Sequence, residues 1–378
     1  MAVRRIIYSI FLAVAVWVFI VFIDYSALQL LVSLIIIPLI MGVVTFIATR
    51  RITVNLEVKD IYVVKKKSVQ LYIKVTNPSI LPFISSRIEL ELKNGFSTEV
   101  IKKKLNFNIA DREIGKYTLE IRPEYVGRID ILVKKFKLYD YTGLWAFKGK
   151  IGREANIYVL PQNGEVNVSV SDRNNEYIDE PMKYSDNESG DDCSQVFDIR
   201  EFREGDKLQR IHWKLSAKKY DIFVKEFSMP IDASVEILAE LSVSDKLNAV
   251  EYTDTIIETA YGLSVALLEQ EIYHYFSWYS DVAAELVRKE ITDENDIWNA
   301  LYELYHTGLY SQSNAIKVYQ EEADRRNSYL FYITADEETI VEYSPHKRFL
   351  VGSNSSSEDV VGVELGNVYE SIKYLGEV

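Results

Sequence analysis

The chain has 378 residues, enough for two or three domains, and 48% of them are hydrophobic, ample for buried cores. Its formal net charge of −13 argues against nucleic-acid binding by the whole chain, because attraction to phosphates needs a basic face. A single cysteine, Cys193, excludes an intrachain disulfide and suits a reducing compartment.

The average conceals a sharp split. Ile6 to Ile23 is almost wholly apolar, interrupted by Tyr8, Ser9 and Trp17, and Leu30 to Ala48 is a second such run. Each is long enough to cross a hydrocarbon core of about 30 Å as a helix. The short stretch between them, Asp24 to Gln29, allows only a tight hairpin. Pro38 and Gly42 are tolerated in a membrane helix. A signal peptide is the alternative for the first run, but no small-residue cleavage site follows and a second apolar run comes at once. Arg4 and Arg5 precede the first run, Arg50 and Arg51 follow the second, and the turn carries only Asp24. Basic residues favour the cytoplasmic side. The expectation is a two-span hairpin over residues 1–50 in the cell membrane, with both termini and the soluble body cytoplasmic.

Residues 51–162 read as β. Thr53–Val58 and Val69–Val75 alternate with period two, and further strands are predicted at Arg87–Leu92, Tyr117–Ile121, Ile129–Phe136 and Ile157–Leu160. Asn77-Pro78, Asn94-Gly95, Gly115 and Gly127 punctuate them. Short strands at this spacing predict an antiparallel sandwich, immunoglobulin-like in size. Lys65-Lys66-Lys67 is either a solvated hairpin tip or a contact for anionic headgroups. Asp140-Tyr141-Thr142-Gly143-Leu144-Trp145 reads as a tight turn feeding an apolar strand.

Residues 163–196 form an acidic flexible linker on composition. Val166–Ser194 is rich in Asp, Glu, Asn and Ser and lacks the apolar surface to offset ordering. Residues 197–230 are the densest part of the chain. Arg200, Arg203, Arg210 and Lys214 interleave with Glu201 and Asp206, Gly205 marks a turn, and His212, Trp213 and Ser216 complete the set. One reading is a structural ion-pair network around a buried Trp213. The other is an anion-recognising or partner-docking surface, for which arginines are natural forks. His212 could titrate near neutrality, but no matched nucleophile accompanies it.

The runs Arg200-Glu201-Phe202-Arg203-Glu204-Gly205-Asp206, Arg210-Ile211-His212-Trp213-Lys214 and Ser216-Ala217-Lys218-Lys219 resemble the core motif of the family called domain of unknown function 58. His212 stands where that motif has an acid, so any role of that acid does not carry over. Gly127-Arg128 and Asp140–Leu144 are similar to two further stretches of the family. The resemblance implies a C-terminal von Willebrand factor A-like domain. It also implies a MoxR-type AAA+ ATPase as partner.

Residues 231–378 alternate between strand and helix patterns. Strands are expected at Ser234–Leu241, Ile272–Trp278, Ser328–Thr334 and Phe349–Val351, with Ala284–Ile291 pairing beside the second. Helices are expected at Tyr252–Leu268 and Asp293–His306, with a closing one at Val368–Leu375. Such alternation means an α/β unit with a parallel sheet, Rossmann-type in class. The implied family fold often holds a divalent metal in an Asp-x-Ser-x-Ser loop. Here the matching loop is Glu240, Ser242 and Ser244, with Asp336 as a second acid. Oxygen ligands of this kind suit Mg²⁺, but Glu replaces Asp and no loop threonine completes the set, so the expectation is a metal-free loop with no cofactor. There is no Gly-rich phosphate loop, His-Glu-x-x-His or Gly-x-Ser-x-Gly. The function expected is a membrane-anchored, non-enzymatic scaffold that binds the bilayer and a protein partner. The alternatives are a membrane-tethered hydrolase using Glu201, Asp206 and His212, and a divalent-metal-dependent protein-binding module.

Overall fold

The computed structural model describes residues 2–164, 166–169, 184–190, 196–201, 223–230, 235–243, 248–309, 315–323, 329–337, 347–353, 357 and 359–377. Two compact units divide the chain at Leu160/Pro161.

The first unit begins with two helices, α1 (Ala2–Phe22) and α2 (Tyr25–Thr49), packed as a hairpin. Both are long and apolar enough to cross a membrane. A core helix of a soluble domain would be mostly buried, whereas only 6% and 17% of these two apolar windows are enclosed. Pro38 lies inside α2 and has no N–H, so the carbonyl four residues back, Leu34, loses its helical donor. The Tyr8 hydroxyl of α1 donates to that carbonyl at 2.8 Å. A phenol in an otherwise apolar run thus repairs the defect its partner helix carries.

Ten strands follow. They are β1 (Thr53–Val58), β2 (Tyr62–Val64), β3 (Val69–Thr76), β4 (Phe83–Asn94), β5 (Val100–Ile109), β6 (Ile114–Ile121), β7 (Gly127–Tyr139), β8 (Ala146–Lys148), β9 (Lys150–Ile151) and β10 (Ala155–Leu160). One sheet has the order β6-β3-β1-β9, the other β2-β10-β7-β4-β5 with β8 on β7. Their inward side chains form one core, including Leu56, Leu71, Ile73, Ile88, Leu90, Ile131 and Ile157. In β7 the inward positions are Ile129, Ile131 and Val133, then Phe136 and Leu138. The parity changes at a bulge: Glu89 faces Lys135 while Leu90 faces Val133. The extra residue, Lys134, keeps both apolar runs on the core side.

Register also fixes which end of the sandwich meets the helices. Thr53, just after α2, pairs with Thr76, and Val58 pairs with Leu71 at the other end of β1. Lys65–Lys67 precede β3 and therefore lie at the end away from the hairpin. Lys65 itself is buried. The headgroup-contact reading of these lysines is corrected: the length of β1, 6 residues or about 20 Å, separates them from the helices.

The turn Asp140–Trp145 lies at the hairpin end. The buried Asp140 carboxylate accepts from the Thr142 N–H at 3.1 Å, the Trp145 N–H at 2.8 Å and the Thr142 hydroxyl. Gly143 has φ +70°, and a Cβ there would collide with the Arg4 side chain. Arg5 Nε donates to the Leu144 carbonyl at 3.0 Å. The Trp145 ring lies 3.1 Å from where a Cβ on Gly42 would sit, and the Phe147 ring is 5.5 Å from that of Phe46. The guanidinium of Arg50 covers the Phe46 ring at 4.5 Å. The turn is thus a clamp that holds the sandwich to both helices.

In the second unit, β11 (Asn167–Ser169) pairs in parallel with the last strand, β21 (Tyr374–Glu377). A three-stranded antiparallel sheet has the order β12 (Tyr184–Gly190), β14 (Phe223–Pro230), β13 (Val196–Glu201). β11 and β12 fall within the stretch expected to be a linker. Main-chain pairing supplies there what the side chains do not. The main sheet has the order β17 (Glu285–Ile291), β16 (His274–Ser280), β15 (Val235–Ala239), β18 (Tyr329–Thr334), β19 (Lys347–Val351), β20 (Val360–Val363). All its pairs are parallel except β16–β17. β15 and β18 are buried throughout, as strands covered on both faces must be. Helices Ala249–Glu269 and Ala315–Ala323 both pack on β15. The helix Glu294–Leu304 begins in a capping box, in which the Asp293 carboxylate accepts from Asp296 N–H and Asp296 reaches back. The closing segment is corrected. Only Val368–Ser371 is helical, and Tyr374–Glu377 is strand β21. Its pairing with β11 joins the two ends of the unit, which local periodicity cannot register.

Tyr8→Phe is expected to destabilise the helix pair by about 1 kcal/mol, read by unfolding in mixed micelles. In a Pro38→Ala background the same change is expected to be silent, because the substituted alanine brings back the N–H that Leu34 lacks.

Candidate functional site

β15 is the first strand of the main sheet. The chain passes from it to β16 on one side and later to β18 on the other. Connections that leave in opposite directions open a crevice beyond the carboxyl ends of the strands, where sheets of this kind bind ligands. Glu240 and Ser242 follow β15, and Asp336 follows β18, so three of the expected oxygen donors share this edge. Ser244, the fourth, lies outside the described residues.

Glu240 is 1% exposed. Its N–H donates to the Ile333 carbonyl at 2.9 Å, and its Oε2 accepts from the Ala315 N–H at 3.1 Å. Ala315 is the first residue of the helix Ala315–Ala323, whose positive end favours a carboxylate. Ser242 is half-buried. The Asp336 N–H donates to Thr334 Oγ1 at 3.0 Å, and Arg348 donates to the Asp336 carbonyl. Among the described residues no group of three or more His, Cys, Asp or Glu has metal-site geometry. The longer Glu side chain reaches a helix end here.

Of the dense motif, Arg200 and Glu201 lie in β13, where they pair with Val224 and Phe223. Arg203, Gly205, Asp206, Arg210, His212, Trp213, Lys214 and Ser216 lie outside the described residues. The convergence of Glu201, Asp206 and His212 that a hydrolase needs is therefore not among the described geometry.

Two polar constellations in the core went unnoticed in the sequence. Glu236 sits in β15 with no exposure, accepts from the Ser277 hydroxyl, and has Arg288 at 3.2 Å. Arg288 lies 3.4 Å over the Tyr275 ring. A buried charge needs such partners. His274 and Ser264 form the second. His274 Nδ1 donates to the Ile272 carbonyl at 3.1 Å, so Nε2 accepts from the Ser264 hydroxyl at 2.6 Å. This pair has the atoms of a nucleophile and its base, yet Ser264 is 0% and His274 1% exposed. It is enclosed and serves packing. The sequence of His274–Ser280 carries no hint of it, because a buried His and a surface His look alike in sequence.

Near the start of the unit, Tyr369 donates to the Gln162 carbonyl, and Tyr261 donates to Asn163 Oδ1 at 2.6 Å. Burial, then the nearby Glu258, Tyr261 and Asp254, hold the Tyr369 hydroxyl protonated far above the usual phenol range. These contacts strap the segment before β11 to the helix Ala249–Glu269.

Burial pushes the His274 imidazole down from 6.5 to about 4, against a smaller opposing effect of its bond to Ile272. The unfolded chain binds this proton more readily, so the contribution of the neutral imidazole to stability is complete above pH 6.5. It is lost as pH falls toward 4, by about 3 kcal/mol in total. Chemical unfolding at stepped pH is expected to show this loss, and His274→Gln is expected to flatten it.

No curated protein matches the sequence. Solved structures that resemble part of it include the CARDB domain of the PF1109 protein from Pyrococcus furiosus, with 14% identity over 30% of this chain and 97% of that one, TM-score 0.23. A chain of a type I cohesin–dockerin complex from Clostridium thermocellum has 11% identity over 30% of this chain and 97% of that one, TM-score 0.23. Red sea bream transglutaminase has 13% identity over 29% of this chain and 15% of that one, TM-score 0.22. Likenesses of this size carry no argument about function. The family described as Protein of unknown function DUF58 matches residues 198–272. That span takes in the dense motif, β14, β15 and the helix Ala249–Glu269, and over it the chain is similar to the DUF58 family.

Proposed function

We propose that this protein is a membrane-anchored, non-enzymatic scaffold whose body, with both termini, lies on the cytoplasmic side and recruits a MoxR-type AAA+ ATPase. The observation that carries this reading is the clamp. A sandwich held to an apolar helix pair by Arg5, Trp145 and Phe147 is suited to holding a position at a bilayer surface. The arginines at the helix ends favour the cytoplasmic side for that surface. The second unit would act as the docking module. Its mainly parallel sheet, with a crevice between β15 and β18, is in keeping with a von Willebrand factor A-like domain. The interleaved arginines of 200–214 suit an acidic partner surface. The use of Glu240 as a helix cap favours docking over metal-dependent binding.

Full-length protein in detergent is expected to capture a MoxR-type ATPase from purified components. Arg200→Glu with Arg203→Glu is expected to weaken capture about ten-fold. No capture by the wild-type chain removes the ATPase from the proposal. Capture indifferent to the double change moves the docking surface elsewhere.

A further inference from the structure

Two cavities meet at the end of the hairpin that bears the clamp. One, of about 410 Å³, runs between α1 and α2 and is lined mainly by Ile7, Phe11, Leu34, Ile37 and Pro38. The other, of about 290 Å³, is polar and includes Ser85, Tyr141 and Thr142. Arg4 and Thr142 line both. The apolar trough starts at Arg4 and reaches Phe11, a drop of about 10 Å along a helix. Its walls are open to the surroundings, with Ile7 48%, Ile37 56% and Phe11 64% exposed.

The chemistry changes along this track as it does along a phospholipid. Arg4 leans over Gly143, with its guanidinium at the junction of the cavities. Arg5 is engaged with the Leu144 carbonyl and Arg50 covers Phe46, and among the described residues that line the two cavities Arg4 is the cation. Asp140, the one acid among the described residues lining the polar cavity, is buried and has its carboxylate bonded within its own turn. An apolar trough inside a bilayer must be filled, since an empty one forfeits contacts on every wall. Copies of one membrane protein share an orientation. A second hairpin in the trough would set its own Arg4 and Arg5 beside these, at the same depth. An acyl chain brings no such repulsion, and an anionic headgroup adds attraction.

We infer that the chain holds one anionic phospholipid, with its phosphate on Arg4 at the polar pocket and an acyl chain along the trough between α1 and α2. Exposed Ile80, Ile84, Tyr141 and Trp145 rim this end of the sandwich, and such residues belong at a membrane interface. The bound lipid would stitch the clamp to the leaflet. The inference rests on the membrane-anchored part of the proposed function and not on the ATPase.

The test is native mass spectrometry of full-length protein purified from bilayers of phosphatidylcholine and phosphatidylglycerol. The expected result is one retained phosphatidylglycerol per chain, in preference to phosphatidylcholine. Arg4→Gln is expected to lower retention roughly five-fold. Ile37→Trp, which fills the trough, is expected to do the same, while Arg51→Gln changes little. Soluble glycerol phosphate and inorganic phosphate are expected not to displace the lipid. No preference between the two lipids in the wild type overturns the inference without any variant. Equal loss in Arg4→Gln and Arg51→Gln overturns it too, since that is diffuse attraction. So does a dimer abolished by Ile37→Trp, which would place a second copy in the trough. Failure of the protein to enter bilayers at all would instead count against the anchored reading.

Discussion

The clamp between the turn Asp140–Trp145 and the helix pair is the contact on which the rest depends. Only Arg50, Arg51 and Ile52 join α2 to β1, and a link that short fixes distance but not direction. Direction comes from three contacts of different kinds. Arg5 bonds the main chain of the turn, Trp145 covers Gly42, and Phe147 packs on Phe46. The turn can make them because Asp140 spends its carboxylate on its own backbone, and because Gly143 takes a left-handed conformation and leaves room for Arg4. A side chain at Gly143 would meet both penalties together.

A second theme runs through both units: several polar groups out of reach of water have a specific partner. Tyr8 serves the carbonyl that Pro38 leaves without a donor. Arg288 and Ser277 serve Glu236 in the middle of a buried strand, and Ser264 serves His274. Glu240 serves a helix end. Each group resembles a functional residue when seen alone, and each is engaged in holding the fold. That pattern moves the search for function from the core to surfaces: the rim at the hairpin end, the sheet edge and the dense motif.

Much of the architecture was legible in the sequence because it is written in local periods. The two apolar runs follow from their length and composition, the alternation of β1 and β3 from burial on one face, and the helix Ala249–Glu269 from a 3.6-residue apolar stripe, although it is enclosed over most of its surface. Even the bulge in β7 is encoded, in the change of inward parity between Val133 and Phe136. What escaped was non-local. The stretch that forms β21 carries a helical pattern, and its strand partner β11 lies at the other end of the unit. The helix Ala315–Ala323 is short, half of it polar, and gave no clear stripe. Tyr8 looked like an interruption in an apolar run, and only the helix opposite explains it. The Lys65–Lys67 run follows soon after α2 in sequence yet lies a strand's length away from it. At the candidate site, Glu240 and Ser242 follow β15 and Asp336 follows β18, so they share one edge of the sheet. The sequence could not show that Glu240 is engaged by the N-terminus of a helix that begins as far along the chain as Ala315.

The most direct test of the clamp is disulfide formation between Gly42→Cys and Trp145→Cys, with Cys193 replaced by Ser, in native membranes. The contact of the Trp145 ring with Gly42, at 3.1 Å from a built Cβ, predicts rapid and nearly complete crosslinking under mild oxidation. A chain that remains uncrosslinked would mean that the sandwich swings free of the helices.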